Sequence, residues 1–406
     1  MTASFARQQR RPDAAPVYLD YPATTPVDGR VLEEMLPWFV AKFGNPHSAT
    51  HAYGREAAAA VEKARGEVAA LIGAEPREII FTSGATEANN LAIKGAARFY
   101  RALGKDHIVT VATEHKCVLE SAEAMVRDGC RVSVLPVDAK GFVDPGRLEA
   151  AIDERTALVS VMAANNEIGV LQPLEEIGAL CRSRGVLFHS DAAQAAGKVP
   201  VDVEAMAIDL LSLSAHKLYG PKGVGALYVR RRPRARLEPL FDGGGQERAL
   251  RSGTLPAPLC VGFGAAARIA REERAAEAER LLGLRRRFLD RLKARLPQVL
   301  LNGDGERRLP GNLNLSFPGA SALALIDACP GLALSTGSAC TAAEVEPSHV
   351  LRALGLPEAL AGASLRIGLG RYTTDAEVDF AVDTLAAAVR SMAGDERVTA
   401  TAGRPT

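Results

Sequence analysis

The chain has 406 residues and 47% hydrophobic content, so it can bury a sizeable core, and its length favours two domains over one. Its 49 Lys and Arg residues balance 48 Asp and Glu residues, which leaves no strong field to recruit nucleic acid or an acidic membrane. The cysteines form no CxxC pair and no metal-ligand spacing, and no apolar run reaches the ~18 residues of a membrane helix. This composition predicts a cytoplasmic protein with reduced thiols, no metal site, and neither nucleic acid nor membrane as a partner.

Between about residues 55 and 230 the sequence alternates helix-like and strand-like segments. The predicted helices are Arg55–Ile72, Glu87–Leu103 and Leu174–Arg184. The predicted strands are Glu78–Phe81, His107–Val111, Arg131–Val134, Leu158–Met162, Val186–His189 and Leu210–Leu213. This alternation predicts an α/β fold with a mostly parallel sheet covered by helices. Ligands of such sheets bind beyond the carboxyl ends of the strands.

A long, charged, amphipathic helix is predicted from Pro258 to Leu296, and shorter elements follow it. These are the strands Asn312–Ser316 and Ser364–Leu369 and the helices Ala320–Ala328, Pro347–Leu354 and Asp375–Met392. They indicate a smaller α+β domain. We assign residues 27–262 to a large domain, and residues 1–26 and 263–406 to the small one.

The segment LLSLSAHKLYGPKGVG places Lys217 just after a predicted strand, in a loop bounded by glycine and proline. A lysine held at the carboxyl edge of a sheet can be partly desolvated, which lowers its pKa and suits a Schiff base with an aldehyde cofactor. An isolated His-Lys pair is more often part of a surface hairpin, and Lys222 is a local competitor. The assignment therefore depends on what else lies at the same edge.

Two further motifs at this edge fit a phosphorylated pyridine cofactor. Asp191, in VLFHSDAAQ, follows a buried strand, where a carboxylate could keep a pyridine nitrogen protonated and make the ring an electron sink. In FTSGATEANN a strand leads into a helix that starts near Ala85 and Thr86. The free N–H groups and positive dipole end of such a helix suit a phosphate, although many helix starts look the same.

Three polar side chains follow other strands of the predicted sheet. His115, in TEHKCVLE, is a flat, titratable partner for a ring, although a lone histidine is more often structural. Asn166, in AANNEIG, and Gln194 are neutral hydrogen-bonding groups, each of which alone could serve only to satisfy a loop.

Together these motifs resemble the group I cysteine desulfurases of the NifS/IscS type. They are FTSGATEANNLAIKG, TEHKCVLE, NNEIGVLQP, HSDAAQAAGK, SAHKLYGPKGVGALYVR, GGGQERALRSGT and STGSACTAAEVEPSHVLRALG. The resemblance runs from YLDYPATTP at Tyr18 to LGRYTT near Tyr372. It implies the fold of the fold-type I pyridoxal-phosphate enzymes, with the cofactor in the large domain, and conversion of L-cysteine to L-alanine. The sulfur would be held as a persulfide on Cys340, in a loop of the small domain at about residues 330–347.

The resemblance also implies a role for each matching residue. Lys217 would bind pyridoxal 5'-phosphate and move the Cα proton. Asp191 would pair with the pyridinium, and His115 would stack on the ring and move protons as a catalytic residue. Asn166 and Gln194 would lie near the phenolic oxygen or the substrate, and Arg366 would bind the substrate carboxylate. The residues implied for the phosphate are Ala85, Thr86, Ser214 and His216, with Thr254 from the other subunit of a homodimer.

Cys340 is flanked by Gly337, Ser338 and Ala339, small residues that favour a mobile loop able to carry sulfur from the site to an acceptor. Its rival near the site is Cys117, two residues from His115. The acceptor would be an iron–sulfur scaffold or sulfurtransferase protein. The tail RVTATAGRPT does not resemble the docking tail of the scaffold branch, so clusters, thiolated tRNA and other cofactors all remain open as the destination of the sulfur.

The sequence also allows three other functions to be considered. Another reaction of the class V aminotransferase type is disfavoured because Cys340 would then have no task, whereas selenocysteine cleavage could coexist with desulfuration. A non-catalytic protein that keeps the fold is disfavoured by the joint presence of Lys217, Asp191, His115 and Cys340. A nucleic-acid or metal-binding role has no support from charge or from cysteine and histidine spacing.

Overall fold

The computed structural model describes residues 15–336 and 348–402, with side chains as far as Met392. The strands are β1 Val17–Tyr18, β2 Ile79–Thr82, β3 His107–Val111, β4 Arg131–Leu135, β5 Thr156–Ser160, β6 Leu187–Asp191, β7 Leu210–Ser214, β8 Gly225–Val229, β9 Leu300–Leu301, β10 Asn312–Ser316, β11 Leu332–Ala333 and β12 Ser364–Gly368. The helices are α1 Gly29–Met35, α2 Pro37–Val40, α3 Ala52–Leu71, α4 Ala85–Arg101, α5 Lys116–Arg127, α6 Pro145–Ala151, α7 Leu174–Ser183, α8 Ala257–Arg295, α9 Ala322–Ala328, α10 His349–Ala353, α11 Glu358–Ala361 and α12 Asp375–Ala402.

The main sheet of the described chain has seven strands in the order β2-β8-β7-β6-β5-β3-β4. The strands from β7 to β4 pair in parallel, whereas β8 lies antiparallel between β2 and β7. Strands β3, β5, β7 and β8 are buried along their whole length, as expected for a sheet with helices on both faces. The mostly parallel α/β fold predicted from the sequence is confirmed, and β8 is a strand that the sequence pattern did not mark.

Two smaller sheets bring the N-terminal segment against the C-terminal part of the chain. Strand β10 pairs antiparallel with β9 and β12. Strand β1 pairs in parallel with β11, and Asp20 forms a bridge with Gly368. The first described strand therefore joins elements that come more than three hundred positions later in sequence, as the bridge from Asp20 to Gly368 illustrates.

Helix α8 connects two hydrophobic clusters. Residues 257–270 belong to the cluster around the main sheet, and residues 281–292 belong to a cluster with β10, β12 and α12. Val17 and Leu19 also join the second cluster. This grouping supports a large and a small domain, but α8 runs unbroken past the proposed boundary at residue 262, so the exact division remains a prediction.

Most of the predicted element bounds shift by one to three residues in the structure, and three differences stand out. Strand β5 ends at Ser160 and not at Met162, because the apolar residues that follow it are buried as well and hydrophobicity does not mark its end. Helix α10 begins at His349 because Ser348 caps it, accepting hydrogen bonds from the N–H groups of Val350 and Leu351. Helix α12 continues to Ala402, past the predicted end at Met392. None of the described helices is long and apolar enough to cross a membrane.

Candidate active site

A cavity of about 590 Å³ opens beyond the carboxyl ends of the parallel strands. Ten of the residues predicted for the site line it: Ala85, Thr86, His115, Asn166, Asp191, Gln194, Ser214, His216, Lys217 and Arg366. Thr254 is exposed and lies outside the lining of this cavity. Cys340 lies outside the described residues. The cavity thus brings together side chains from six chain segments, of which five end or follow strands of the main sheet and one is β12 of the small sheet.

Lys217 is half-buried at the end of a short 3₁₀ turn that follows β7. Its Nζ donates hydrogen bonds to the carbonyl oxygens of Pro22, at 2.5 Å, and Ala23, at 2.6 Å. The amine is therefore held in place by the segment that follows β1. Lys222, the competing lysine, also borders the cavity but is exposed. A surface hairpin would not give Lys217 these contacts.

Asp191 is the last residue of β6 and is 6% exposed. Its Oδ1 accepts the N–H of Ala193 at 2.9 Å, and its Oδ2 accepts the side-chain amide of Asn89 at 2.6 Å. Asn89 lies on α4, so a helix on one side of the sheet fixes a carboxylate on the strand edge. Asn89 was not predicted as a site residue, although it belongs to the motif FTSGATEANN.

His115 caps the start of α5. Its Nδ1 accepts the N–H of Cys117 at 3.2 Å, so the neutral imidazole carries its proton on Nε2. Burial lowers the pKa of His115, which favours this neutral form, although the charge of Asp191 opposes the shift. Burial, with the charge of Asp191, also raises the pKa of the Cys117 thiol to about 12. Cys117 is therefore a protonated thiol at neutral pH.

The N-terminus of α4 faces the same cavity, and no side chain caps it. Glu87 braces this first turn, since it accepts the N–H of Ser83 at 2.7 Å and the Nε of Arg251 at 2.8 Å. Beneath the turn, a Cβ on Gly225 would lie 2.6 Å from Cα of Gly84, so the close approach of β8 requires glycine. The leading N–H groups of α4 thus point to a place where an anion would be stabilised.

Two polar side chains after β7 complete this end of the cavity. The hydroxyl of Ser214 is buried and has no hydrogen-bond partner among the described residues. His216 Nδ1 lies 3.0 Å from Thr24 Oγ1. Burial and the charge of Lys217 lower the pKa of His216 to about 4, so this imidazole is neutral at physiological pH. A buried hydroxyl that lacks a partner costs free energy, and a bound acceptor would remove that cost.

Arg366 lies on β12, is 2% exposed and lines the cavity. It forms an ion pair with Asp20 at 2.7 Å and donates to the backbone oxygen of Asn166 at 3.3 Å. Asp20 also accepts a hydrogen bond from Ser335 at 3.1 Å. A buried guanidinium with a carboxylate already beside it has the geometry to bind a second carboxylate at its exposed edge.

Glu167 and His349 are cavity residues that the sequence analysis missed. Glu167 is buried, and Ser348 donates a hydrogen bond of 2.5 Å to its Oε2. His349 donates from Nε2 to the backbone oxygen of Glu114 at 3.0 Å. Both contacts hold the start of α10, the first described element after the segment that contains Cys340. Glu167 lies in the motif NNEIGVLQP and His349 in the motif STGSACTAAEVEPSHVLRALG, so both could have been found from the sequence.

Comparison with known proteins gives a consistent answer. The family model for aminotransferase class-V matches residues 17–380. The chain is 55% identical to the cysteine desulfurase IscS of Rickettsia bellii, over 93% of this chain and 92% of the relative. It is 58% identical to the mitochondrial cysteine desulfurase of Drosophila melanogaster, over 93% of this chain and 82% of the relative. A solved NifS-like protein matches with 39% identity and a TM-score of 0.85, covering 91% of this chain and 98% of that one.

The fold, the cavity and these matches show that the chain belongs to the aminotransferase class-V family. Within that family it is a member of the cysteine desulfurases of the IscS/NifS type. The resemblance seen in the sequence is therefore confirmed over nearly the whole chain. The family implies pyridoxal phosphate as the cofactor.

Proposed function

We propose that this protein uses pyridoxal 5'-phosphate to convert L-cysteine to L-alanine and holds the released sulfur as a persulfide on Cys340. The observation that carries the proposal is the meeting of Lys217, Asp191 and His115 in one cavity beside the uncapped N-terminus of α4. Each group alone has a structural explanation, but together they match the parts of the cofactor. Lys217 matches the aldehyde, Asp191 the pyridine nitrogen, His115 the ring face, and the start of α4 the phosphate.

The residues of the cavity fit the cofactor. The unpartnered hydroxyl of Ser214 and the leading N–H groups of α4, at Ala85 and Thr86, would hold the phosphate. His216 would assist as a neutral donor, and Asp191 would hold the pyridine nitrogen. Gln194 and Asn166 would lie toward the phenolic oxygen and the substrate, and Lys217 would hold the cofactor covalently through Nζ. When bound, the cofactor supplies an electron sink that stabilises negative charge at Cα of an attached amino acid.

Lys217 is the group that we assign to moving the proton at Cα. The carbonyl oxygens of Pro22 and Ala23 fix its Nζ on the cavity side of the sheet edge. A neutral amine can accept the proton from Cα and later return a proton to the product. His115, neutral and with its proton on Nε2, borders the same space and would donate to or accept from groups above the ring.

Arg366 would bind the carboxylate of L-cysteine. Its guanidinium is fixed by Asp20 and by the backbone of Asn166, so it is already oriented before the substrate arrives. The chain that follows residue 347 is anchored beside the same cavity, by Ser348 to Glu167 and by His349 to the backbone oxygen of Glu114.

The sulfur step requires Cys340 as a thiolate. Its sulfur attacks the substrate sulfur, an S–S bond forms, the Cβ–S bond breaks, and the electron pair of that bond stays on carbon, which is protonated to give alanine. The thiol of an acceptor protein then attacks the outer sulfur and regenerates Cys340. We propose that the acceptor is an iron–sulfur scaffold or a sulfurtransferase. We also propose that the reaction takes place in the cytoplasm.

We further propose that the protein acts as a homodimer. Thr254 is exposed and outside the lining of the cavity of its own chain, which suits a residue that contributes to the partner's phosphate site. A group of large apolar side chains is also exposed on and around α1, α2 and α3, and these are Leu36, Phe39, Val40, Phe43 and Tyr53. Exposed apolar surface of this kind favours association with another protein surface.

The proposal is tested by incubating the purified holoprotein with L-cysteine and a thiol acceptor. We expect alanine and persulfide sulfur in equal amounts, with the sulfur mapped to Cys340 by mass spectrometry of the peptide. Transfer of the amino group to a keto acid, with no sulfur released, would contradict the proposal and favour an aminotransferase reaction. The same assay with selenocysteine shows how far the site discriminates between sulfur and selenium.

A further inference from the structure

A second, small cavity of about 40 Å³ lies behind Lys217 and Gln194. Both residues also line the main cavity, so they form the wall between the two spaces. Lys198 lines the small cavity but not the main one. None of the groups assigned so far explains why a lysine lies there.

Lys198 binds an amide and not a carboxylate. Its Nζ donates a hydrogen bond of 2.9 Å to Oε1 of Gln194. The nearby carboxylate of Glu277 is engaged by Arg371 at 2.9 Å, and Lys198 forms no ion pair with any described residue. Placing an ammonium in a half-buried position without a carboxylate is unfavourable, so its position needs a reason beyond stability.

The contact determines which way the amide of Gln194 points. An ammonium can only donate, so the atom of Gln194 that faces Lys198 must be its oxygen. The amide nitrogen is then directed to the opposite side, where it donates to the carbonyl oxygen of Pro22 at 2.8 Å. That same oxygen accepts the hydrogen bond from Lys217 Nζ. A continuous chain of hydrogen bonds thus joins Lys198 to the oxygen that holds Lys217.

We propose that Lys198 is a positioning residue for the main cavity. It acts through its hydrogen bond to Gln194, whose amide in turn binds the carbonyl oxygen of Pro22. In this way the amide N–H of Gln194 and the amine of Lys217 are both held in fixed positions at the main cavity. The proposal rests on the proposed cofactor site. Without Lys198, Oε1 of Gln194 loses its hydrogen bond, and only the bond to the carbonyl oxygen of Pro22 still orients the amide. The amide then has more rotational freedom, and the wall presents a less firmly held donor to the cofactor.

The charge of Lys198 makes this arrangement sensitive to pH. Burial, with the positive charges of Lys217 and Arg366, lowers the pKa of Lys198 to about 7, and the charge of Glu277 opposes this shift. Arg274 and Arg371 are the other charged groups around the cavity. As the pH rises through about 7, Lys198 loses its charge, and its hydrogen bond to Gln194 becomes one between neutral groups, which is weaker.

The test measures the affinity of the apoprotein for pyridoxal phosphate. Lys198→Met is expected to weaken binding about tenfold, and Lys198→Gln, which keeps a donor, to recover most of the loss. In a Gln194→Leu background, Lys198→Met should change the affinity by less than about twofold, because the two residues act as a unit. Lys63→Met, at an exposed position on α3, is the matched control, and circular dichroism with thermal unfolding of each apoprotein shows whether it folds.

A pH series gives a second readout. Between pH 6 and 8.5, the affinity of the wild-type protein for pyridoxal phosphate should change more than the affinity of Lys198→Gln. The reason is that Lys198 titrates in this range, with a pKa of about 7, whereas the glutamine side chain does not titrate. Equal losses from Lys198→Met with and without Gln194, or no loss, would overturn the proposal. If the proposed cofactor site itself is wrong, Lys217→Ala will leave the absorbance of the bound cofactor unchanged. That result is distinct from a failure of the Lys198 proposal alone. If Lys198→Met does not fold, the comparison of Lys198→Gln with wild type across pH still decides.

Discussion

Asn89 donates a hydrogen bond of 2.6 Å to Oδ2 of Asp191, and it lies one turn beyond the uncapped start of α4. One helix therefore supplies both the anion-binding end of the cavity and the group that orients the carboxylate expected to hold the pyridine nitrogen. The two ends of the cofactor site are fixed to each other through a rigid element, which is how precise sites are commonly supported.

Replacing Asn89 should therefore weaken cofactor binding without removing any group that touches the cofactor. We expect Asn89→Ala to raise the dissociation constant of pyridoxal phosphate by about tenfold, because Asp191 loses a charge-assisted hydrogen bond. Equilibrium dialysis of the apoprotein measures this. Asn90→Ala, which loses only a bond to the backbone oxygen of Thr86 on the same helix, should have a smaller effect. Equal effects of the two variants would contradict the role of Asn89.

Lys217 should be the lysine that binds the cofactor covalently. We expect Lys217→Ala to remove or strongly shift the visible absorbance of the yellow holoprotein, whereas Lys222→Ala should keep it, because Lys222 is exposed and Lys217 is held by two backbone oxygens. Borohydride reduction followed by peptide mapping identifies the modified residue. A label on Lys222, or on another lysine, would show that the assignment is wrong.

Cys340 and Cys117 should be separable by their products. Cys340→Ala should retain the bound cofactor and the spectral response to L-cysteine but release no alanine in steady state. Cys117→Ala should retain at least a third of the activity, on the order of a 1 kcal/mol effect or less, because burial raises the pKa of its thiol to about 12 and keeps it from acting as a nucleophile. Measured alanine release from each variant decides between the two cysteines. The reverse outcome would exchange their roles.

Arg366 should act on substrate binding more than on the cofactor. We expect Arg366→Lys to lower kcat/KM for L-cysteine about 100-fold, mainly through KM, since an ammonium cannot reproduce the fork that binds a carboxylate. The affinity for pyridoxal phosphate should stay within about twofold of wild type, because Arg366 lies on β12, outside the sheet whose strands lead to the phosphate residues. A loss of cofactor affinity as large as the loss in kcat/KM would argue against this division.

The sequence pointed to ten of the residues that line the cavity. All of these except Arg366 end or follow strands of one sheet, and such strands bring their carboxyl ends together whatever the loops do. Groups whose role depends on the backbone or on distant pairing were missed. The carbonyl oxygens of Pro22 and Ala23 carry no side-chain signal, and they reach Lys217 because the segment after β1 forms backbone hydrogen bonds with the loop after β7, from Thr25 to His216 and from Asp28 to Tyr219. His349 and Lys198 were likewise missed, since neither stands at a strand end. Strand β8 was overlooked because its glycine-rich start resembles a turn.

His189 should make the protein sensitive to acid. It is fully buried in the main sheet, its ring nitrogens contact the hydroxyls of Ser160 and Ser212, and burial lowers its pKa from 6.5 to about 3. Between pH 6.5 and about 3, His189 binds a proton in the unfolded chain but not in the folded protein. The free energy of unfolding therefore falls as the pH drops through this range. The contribution approaches about 1.4 kcal/mol per pH unit for one proton.

Urea unfolding at a series of pH values measures this dependence. We expect His189→Asn to be less stable near neutral pH, because it loses packing and a hydrogen bond, but to lose stability less steeply in acid than the wild-type protein. Depressed carboxyl pKa values, such as that of Asp153 at about 2, contribute equally to both proteins and cancel in the comparison. Parallel curves for the two proteins would show that His189 is not responsible.

The pairing of β1 with β11 and of Asp20 with Gly368 has a consequence for how the enzyme is made. A ribosome releases the first strand early, but its partners leave the exit tunnel only near the end of synthesis, on the order of tens of seconds later. Until then the segment of Pro22 and Ala23 is held at the Lys217 loop by hydrogen bonds such as those from Thr25 to His216 and from Asp28 to Tyr219, without the support of β11 and β12. Arg366, on β12, is also synthesised after the main sheet, so we expect the nascent chain to complete that sheet before the cavity has all of its walls.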